Sequence, residues 1–139
     1  MLAPHDHCYC QAARRSARFL SRLYDRHLAP EGINIQQLSI LSLVLRDPGM
    51  LIADLANQMV MERTTLLRAL KPLQRAGLVV SAPSGTGRSL ALKASRKGQR
   101  KAAHAVLLWR EAQREFEALF GVAEARALRD AMRKAAALA

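Results

Sequence analysis

Residues 52–76, IADLANQMVMERTTLLRALKPLQRA, contain two runs of helix-forming residues that are separated only by Val60 and Met61. Apolar residues in each run recur at the three- and four-residue spacing of one helix face. They are Leu55, Ala56 and Met59 in the first run and Leu66, Ala69 and Leu70 in the second. Two short helices that face each other across a tight turn are typical of a helix-turn-helix. The sequence therefore predicts helices over residues 52–59 and 62–76.

The second of these helices has a marked end and an expected kink. Gly77 supplies the left-handed residue that commonly follows a helix. Pro72 should kink the helix, because it removes one backbone hydrogen bond and crowds the Arg68 carbonyl. The functional part of this helix is therefore predicted to be residues 63–71.

A glycine-rich hairpin is predicted to follow the two helices. LVVS at 78–81 and SLAL at 89–92 are typical of short strands, and the loop at 82–88 contains Pro83, Gly85 and Gly87. Helix, turn, helix and hairpin is the order of a winged helix-turn-helix, whose second helix enters the major groove while the hairpin, the wing, reaches the backbone or the minor groove. The predicted fold class is mainly α with a small β-hairpin wing.

Helices are also predicted on both sides of this unit. Before it lie one helix over residues 7–28 and a second that begins at a capping box formed by Asn34 and Gln37. After it lie a helix over residues 96–120 and a last helix that follows Gly121. The first and last helices have apolar faces without a local partner, so we expect them to intertwine with a second subunit as a dimerisation unit. Phe19, Tyr24 and Trp109 are expected in the core. The chain is predicted to be one winged-helix domain, 1–139, with a DNA-binding lobe at 35–97 and a helical dimerisation region at 1–34 and 98–139.

The charge balance favours a polyanionic partner. Lys and Arg number 22 against 11 Asp and Glu, a formal net charge of +11.

The candidate major-groove residues lie near the start of the second helix. They offer guanidinium groups for guanine, and hydroxyls and methyls for phosphate or thymine. They are Arg63, Thr64, Thr65, Arg68 and Lys71, with Arg75 extending the basic edge. The candidate wing residues are Gly87, Arg88 and Ser89, with Arg96, Lys97, Arg100 and Lys101 just after them. Solvated surface charge is the alternative interpretation of each.

Three stretches resemble MarR-family regulators. MERTTLLRALKPLQRAGLV at 61–79 looks like their recognition helix, RSLALKASRKG at 88–98 looks like the end of their wing, and residues 8–41 are similar to their first two helices. The resemblance implies a homodimer that reads a pseudo-palindrome in double-stranded DNA and is released by a small aromatic or phenolic ligand, or by oxidation. Thr86 replaces the usual Asp before the wing Arg, and Leu51 and Glu62 are poorer helix caps than the usual residues, by about 1 kcal/mol each.

Cys8 and Cys10 are too close in sequence to staple a fold, so we expect thiols in a reducing, cytoplasmic compartment. With His5 and His7 they form a dense group of potential ligands, but His-Cys-x-Cys is not a standard zinc pattern, and neither a metal nor a cofactor is expected. Redox sensing by Cys8 and Cys10 stays open, since Arg14 and Arg15 would favour a thiolate. Two inert thiols are the alternative.

Other function classes find less support in the sequence. Phosphate-loop, nucleophile-elbow and zinc-protease motifs do not occur, so we expect no enzyme, and the sequence has no apolar run approaching the ~18 residues that span a bilayer. A non-specific architectural protein that binds nucleic acid by charge alone, and a protein-interaction module, are the remaining alternatives.

Overall fold

The computed structural model describes residues 7–85 and 89–139. These residues form six helices, α1 (Tyr9–Leu28), α2 (Ile35–Arg46), α3 (Ile52–Met59), α4 (Arg63–Arg75), α5 (Arg96–Phe120) and α6 (Val122–Ala136). They also form three strands, β1 (Met50–Leu51), β2 (Val79–Pro83) and β3 (Leu90–Ala94), and a 3-10 turn at Ala29–Glu31. The predicted fold class, mainly α with a hairpin wing, is confirmed.

Local side-chain chemistry fixes where two of the helices begin. At α2 the predicted capping box is present, because Asn34 Oδ1 accepts the Gln37 N–H at 2.8 Å and Gln37 Oε1 accepts the Asn34 N–H at 3.0 Å. At α1 the Cys8 thiol sulfur accepts the Gln11 N–H at 3.4 Å, so the helix begins at Tyr9 rather than at residue 7.

The helix-turn-helix has the predicted bounds to within one residue. Neither Leu51 nor Glu62 provides a side-chain cap, as expected for α3 and α4. The turn between these helices places Val60 at φ +53°, an uncommon conformation for a β-branched residue. α4 continues through Pro72 to Arg75, and Gly77, at φ +70°, follows its end as predicted.

The sheet contains a strand that the sequence did not predict. Its antiparallel order is β1-β3-β2, and Met50 of β1 pairs with Leu92 of β3. Met50 and Leu51 carry no strand signal in the sequence, because two residues are too few for an alternating pattern. The wing strands also run two residues further at their C-terminal ends than predicted, to Pro83 and Ala94, where Val79 pairs with Ala94.

One core underlies the helix-turn-helix and the sheet. Leu41 of α2, Leu55 of α3, Leu66 of α4 and Leu92 of β3 are each 0% exposed, and together they fix the outward face of α4. The prediction that Phe19 is a core residue is wrong, because it is 51% exposed at the middle of α1. The described residues include no helix that is both long and apolar enough to span a membrane.

Candidate nucleic-acid interface

The two sides of α4 have opposite chemistry. Leu66, Leu70 and Leu73 are at most 1% exposed and pack on the core. A rotation of about 100° per residue places Thr64, Arg68, Lys71 and Arg75 together on the opposite side, with Thr65 beside them. Arg63 is the first residue of the helix and lies nearer the leucine side. All six of these residues are exposed, and we call them the α4 outer face.

The α4 outer face has cations that are not neutralised within the described part of the chain. Its Arg and Lys side chains form no ion pair with any carboxylate in residues 7–85 and 89–139. Hydroxyl groups of Thr64 and Thr65 lie beside these cations at the exposed N-terminal turn of the helix. The face therefore offers charge, donors and methyl groups to an incoming polyanion.

The described part of the wing ends close to its predicted tip. The Ser89 carbonyl accepts the Ser84 N–H at 2.9 Å, which closes the hairpin beyond the last β2–β3 pair. Ser89 is half-buried. Gly87 and Arg88, the other two predicted wing residues, lie outside the described residues.

Two of the lysines predicted to follow the wing are bound to the protein itself. Lys97 Nζ donates to the Ala76 carbonyl at 2.8 Å. Lys101 Nζ donates to the Glu31 carbonyl at 2.8 Å and lies 3.4 Å from the Glu31 carboxylate. Both ammonium groups therefore bind carbonyls of the chain itself, whereas Arg96 and Arg100 are exposed.

A cavity of about 540 Å³ lies among α1, α2, α5 and α6. Its apolar lining includes Trp109 and Phe116, and its polar lining includes Tyr24, Gln113 and Arg126. The Tyr24 hydroxyl donates to Gln113 Oε1, and burial, with a smaller contribution from the charge of Glu117, raises the pKa of Tyr24. The prediction that Tyr24 and Trp109 are plain core residues is thus incomplete, because they also face this cavity; aromatic residues at helical spacing carry no signal that separates the two roles.

A charged cluster joins α1 to α5. The Glu115 carboxylate lies 2.7 Å from Arg26 Nη2 and 3.0 Å from His27 Nε2. The hydrogen bond with His27, followed by that with Arg26, lowers the pKa of Glu115. The cluster links the two helices on their exposed side.

Both cysteines are free thiols at the start of α1, where Cys8 is half-buried and Cys10 is exposed. Among residues 7–85 and 89–139, no group of three His, Cys, Asp or Glu side chains is arranged to hold a metal ion. His5, one of the potential ligands in the sequence, lies outside the described residues.

Comparisons with known proteins agree with this geometry. A family model described as MarR family matches residues 31–88. The transcriptional regulator MosR of M. tuberculosis, solved in complex with DNA, is 32% identical, with a TM-score of 0.84 over 94% of this chain and 95% of that chain.

More distant solved structures share the fold. The transcriptional repressor CouR bound to a 23-mer DNA duplex is 22% identical, with a TM-score of 0.84 over 98% of this chain and 97% of that one. PcaV from Streptomyces coelicolor, in complex with its natural ligand, is 19% identical, with a TM-score of 0.84 over 98% and 96% of the two chains. A search of curated protein sequences gave no match. Together with the winged helix and its exposed basic face, these findings place the chain in the MarR family of DNA-binding transcriptional regulators.

Proposed function

We propose that this chain acts as a homodimeric repressor that binds a pseudo-palindromic operator through the α4 outer face and the wing. The observation that carries the proposal is the α4 outer face, whose cations point away from the core and find no carboxylate among the described residues. In the major groove, Arg63 and Arg68 would bind guanine, Thr64 and Thr65 would contact thymine methyls or phosphate, and Lys71 would bind phosphate.

The wing supplies a second contact in this proposal. Arg88, flanked by Gly87 and Ser89, would enter the adjacent minor groove, where a narrow groove attracts guanidinium groups. The proposal also divides the chain into a DNA-binding lobe at 35–97, which carries α4 and the wing, and a dimerisation region at 1–34 and 98–139.

The proposed dimer is supported by apolar surface on the terminal helices. Large apolar side chains are between 46% and 93% exposed there; they include Tyr9, Phe19, Leu119, Phe120, Val122 and Leu138. A cleft of about 440 Å³ between α1, α5 and α6 adds Phe116 and Leu128 to this surface. Exposed apolar area of this kind marks an interface, and two copies would place two α4 helices about one DNA turn apart.

Release from DNA would follow binding of a small aromatic or phenolic effector in the 540 Å³ cavity. Trp109 and Phe116 provide faces for an aromatic ring, and Tyr24 and Gln113 provide hydrogen-bonding groups beside them. CouR has been solved bound to p-coumaroyl-CoA, which supports an aromatic effector by analogy. Oxidation of Cys8 and Cys10 is the second proposed trigger.

The central test measures fluorescence anisotropy with DNA from upstream of the chain's own gene and with a scrambled duplex. We expect a preference of about 10³-fold or more for the upstream DNA at near-physiological salt. Arg68→Ala should weaken operator binding by about 5- to 150-fold, whereas Arg133→Ala, an exposed α6 residue, serves as the matched control and should change little.

The outcome separates the proposal from the architectural alternative. Equal binding to both duplexes, with a steep salt dependence, would favour a non-specific protein that binds by charge. Repeating the titration with small phenolic acids tests release, and repeating it after peroxide treatment, with Cys8→Ser and Cys10→Ser as controls, tests oxidation. Sedimentation of the wild type and of Phe120→Glu tests the dimer.

A further inference from the structure

The first turn of α5 is tied to the end of α4 by several contacts at one point. Ser95, the N-cap of α5, donates its backbone N–H to the Leu78 carbonyl at 3.0 Å and its hydroxyl to the Gly77 carbonyl at 2.6 Å. Lys97 Nζ donates to the Ala76 carbonyl at 2.8 Å. Carbonyls at a helix C-terminus lack intrahelical donors, so these contacts satisfy three successive acceptors just after α4.

The same point has the closest backbone approach between the two elements. A Cβ built on Gly98 would lie 2.2 Å from the Leu78 carbonyl oxygen, so only glycine allows α5 to come this near. Ser95 Oγ accepts the Gly98 N–H at 3.0 Å, which orders the turn that makes the approach. α5 then continues to Phe120 and carries Trp109, Gln113 and Phe116 into the lining of the cavity.

We infer that Ser95, Lys97 and Gly98 form a clamp that positions the recognition helix α4 for DNA, and that Lys97 acts on the Ala76 carbonyl at the end of α4 rather than on a DNA phosphate. The inference rests on the proposed function, because it assigns positioning residues for the same DNA-binding helix. Its physical basis is twofold. A cation at a helix C-terminus is favoured by the helix dipole, and a helix held in its bound orientation loses less freedom on binding.

The clamp and a phosphate contact predict different responses in Lys97→Met. A lost phosphate contact would weaken operator and scrambled DNA equally and would reduce the slope of log affinity against log salt by about 0.9. A loosened clamp should weaken operator binding by about two- to fivefold, with scrambled binding and the salt slope unchanged. Arg96→Met is the matched control, since Arg96 is the adjacent exposed cation and its side chain makes no hydrogen bond within residues 7–85 and 89–139; it should leave the end of α4 unchanged.

Amide hydrogen exchange in the free protein gives a readout that does not depend on DNA. Lys97→Met should speed exchange of the Gly77 and Leu78 amides, which close the end of α4, by about two- to fivefold, and leave the Leu41 amide in α2 unchanged. Lys97→Arg should restore most of the protection.

A salt slope reduced by about 0.9 together with unchanged exchange would overturn the inference and make Lys97 a phosphate ligand. Uniformly faster exchange would also overturn it, because Lys97 would then contribute only to global stability. If the wild type shows no preference for operator DNA, the proposed function fails. In that case, an increase in exchange confined to Gly77 and Leu78 would still support the clamp as a structural contact between α4 and α5. Unchanged exchange at these two amides would refute it.

Discussion

Gly98→Ala tests how tightly α5 is seated against the end of α4. The added methyl would lie 2.2 Å from the Leu78 oxygen, 3.1 Å from the Leu78 carbonyl carbon and 3.3 Å from Leu41 Cδ1. Ordinary van der Waals contact begins at 3.4 Å, so the α5 backbone or the Leu78 carbonyl would have to move by about 1.2 Å, the difference between 3.4 and 2.2 Å. That carbonyl also accepts the Ser95 N–H, so the movement would weaken a hydrogen bond.

These contacts set the size of the expected effect. Overpacking at a fixed backbone site costs up to about 3 kcal/mol, and a weakened hydrogen bond adds about 1 kcal/mol. The higher helix propensity of alanine offsets up to about 1 kcal/mol of that loss. We therefore expect Gly98→Ala to lower the free energy of unfolding by about 2–3 kcal/mol.

The assay is urea unfolding followed by circular dichroism at one fixed protein concentration, because the stability of a dimer depends on concentration. Ala103→Gly is the matched control; it lies in the same helix at an exposed position and should lose about 1 kcal/mol through propensity alone. A variant Gly98→Ala that is as stable as the wild type, or more stable, would refute the close approach and remove the steric half of the proposed clamp.

Three further predictions concern other parts of the fold. Because the pKa of Glu115 is lowered, its contacts with His27 and Arg26 stabilise the fold at pH values above its ordinary pKa of 4.5. This stabilisation is lost as the pH falls through the lowered pKa. Glu115→Gln should therefore reduce the acid dependence of urea unfolding between about pH 6 and pH 3. Val60→Gly should leave stability unchanged or raise it by up to about 1 kcal/mol by relieving the positive φ, measured as a thermal midpoint. Asn34→Ala should cost about 1 kcal/mol in the same thermal assay, because it removes the α2 capping box.

The elements that repeat a pattern could be predicted from the sequence. Helical periodicity gave α3, α4 and α5 nearly to their ends, because each buries a stripe of apolar residues that recurs at three and four positions. Short-range side-chain chemistry gave the α2 start at Asn34 and the α4 end at Gly77. β1 was missed because a strand of two residues depends on its partner, Leu92, which is distant in sequence.

The candidate site was predictable to the same extent. Exposure of Arg68 and Lys71 follows from their phase relative to Leu66 and Leu70. Arg63 has nearly the phase of Leu70, and it is exposed at the first position of α4. The family resemblance implies a small-molecule pocket between the dimerisation helices and the DNA-binding lobe, but the residue pattern does not give its lining, because a cavity arises where helices separated in sequence fail to fill the space between them. An aromatic residue such as Trp109 has the same helical spacing whether it faces a solid core or a cavity.

The partners of individual cations were the least predictable feature, and they change what the net charge of +11 implies. A charge count treats Arg26, Lys97 and Lys101 like the cations of the α4 outer face. In the structure they bind Glu115, the Ala76 carbonyl and Glu31 respectively, so they stabilise the chain's own helix packing. Only a cation without such a partner is free to replace the counterions of a phosphate backbone. We therefore expect DNA affinity to depend on cations that face the DNA and have no such partner among the described residues, as those of the α4 outer face do, rather than on the total excess of arginine and lysine.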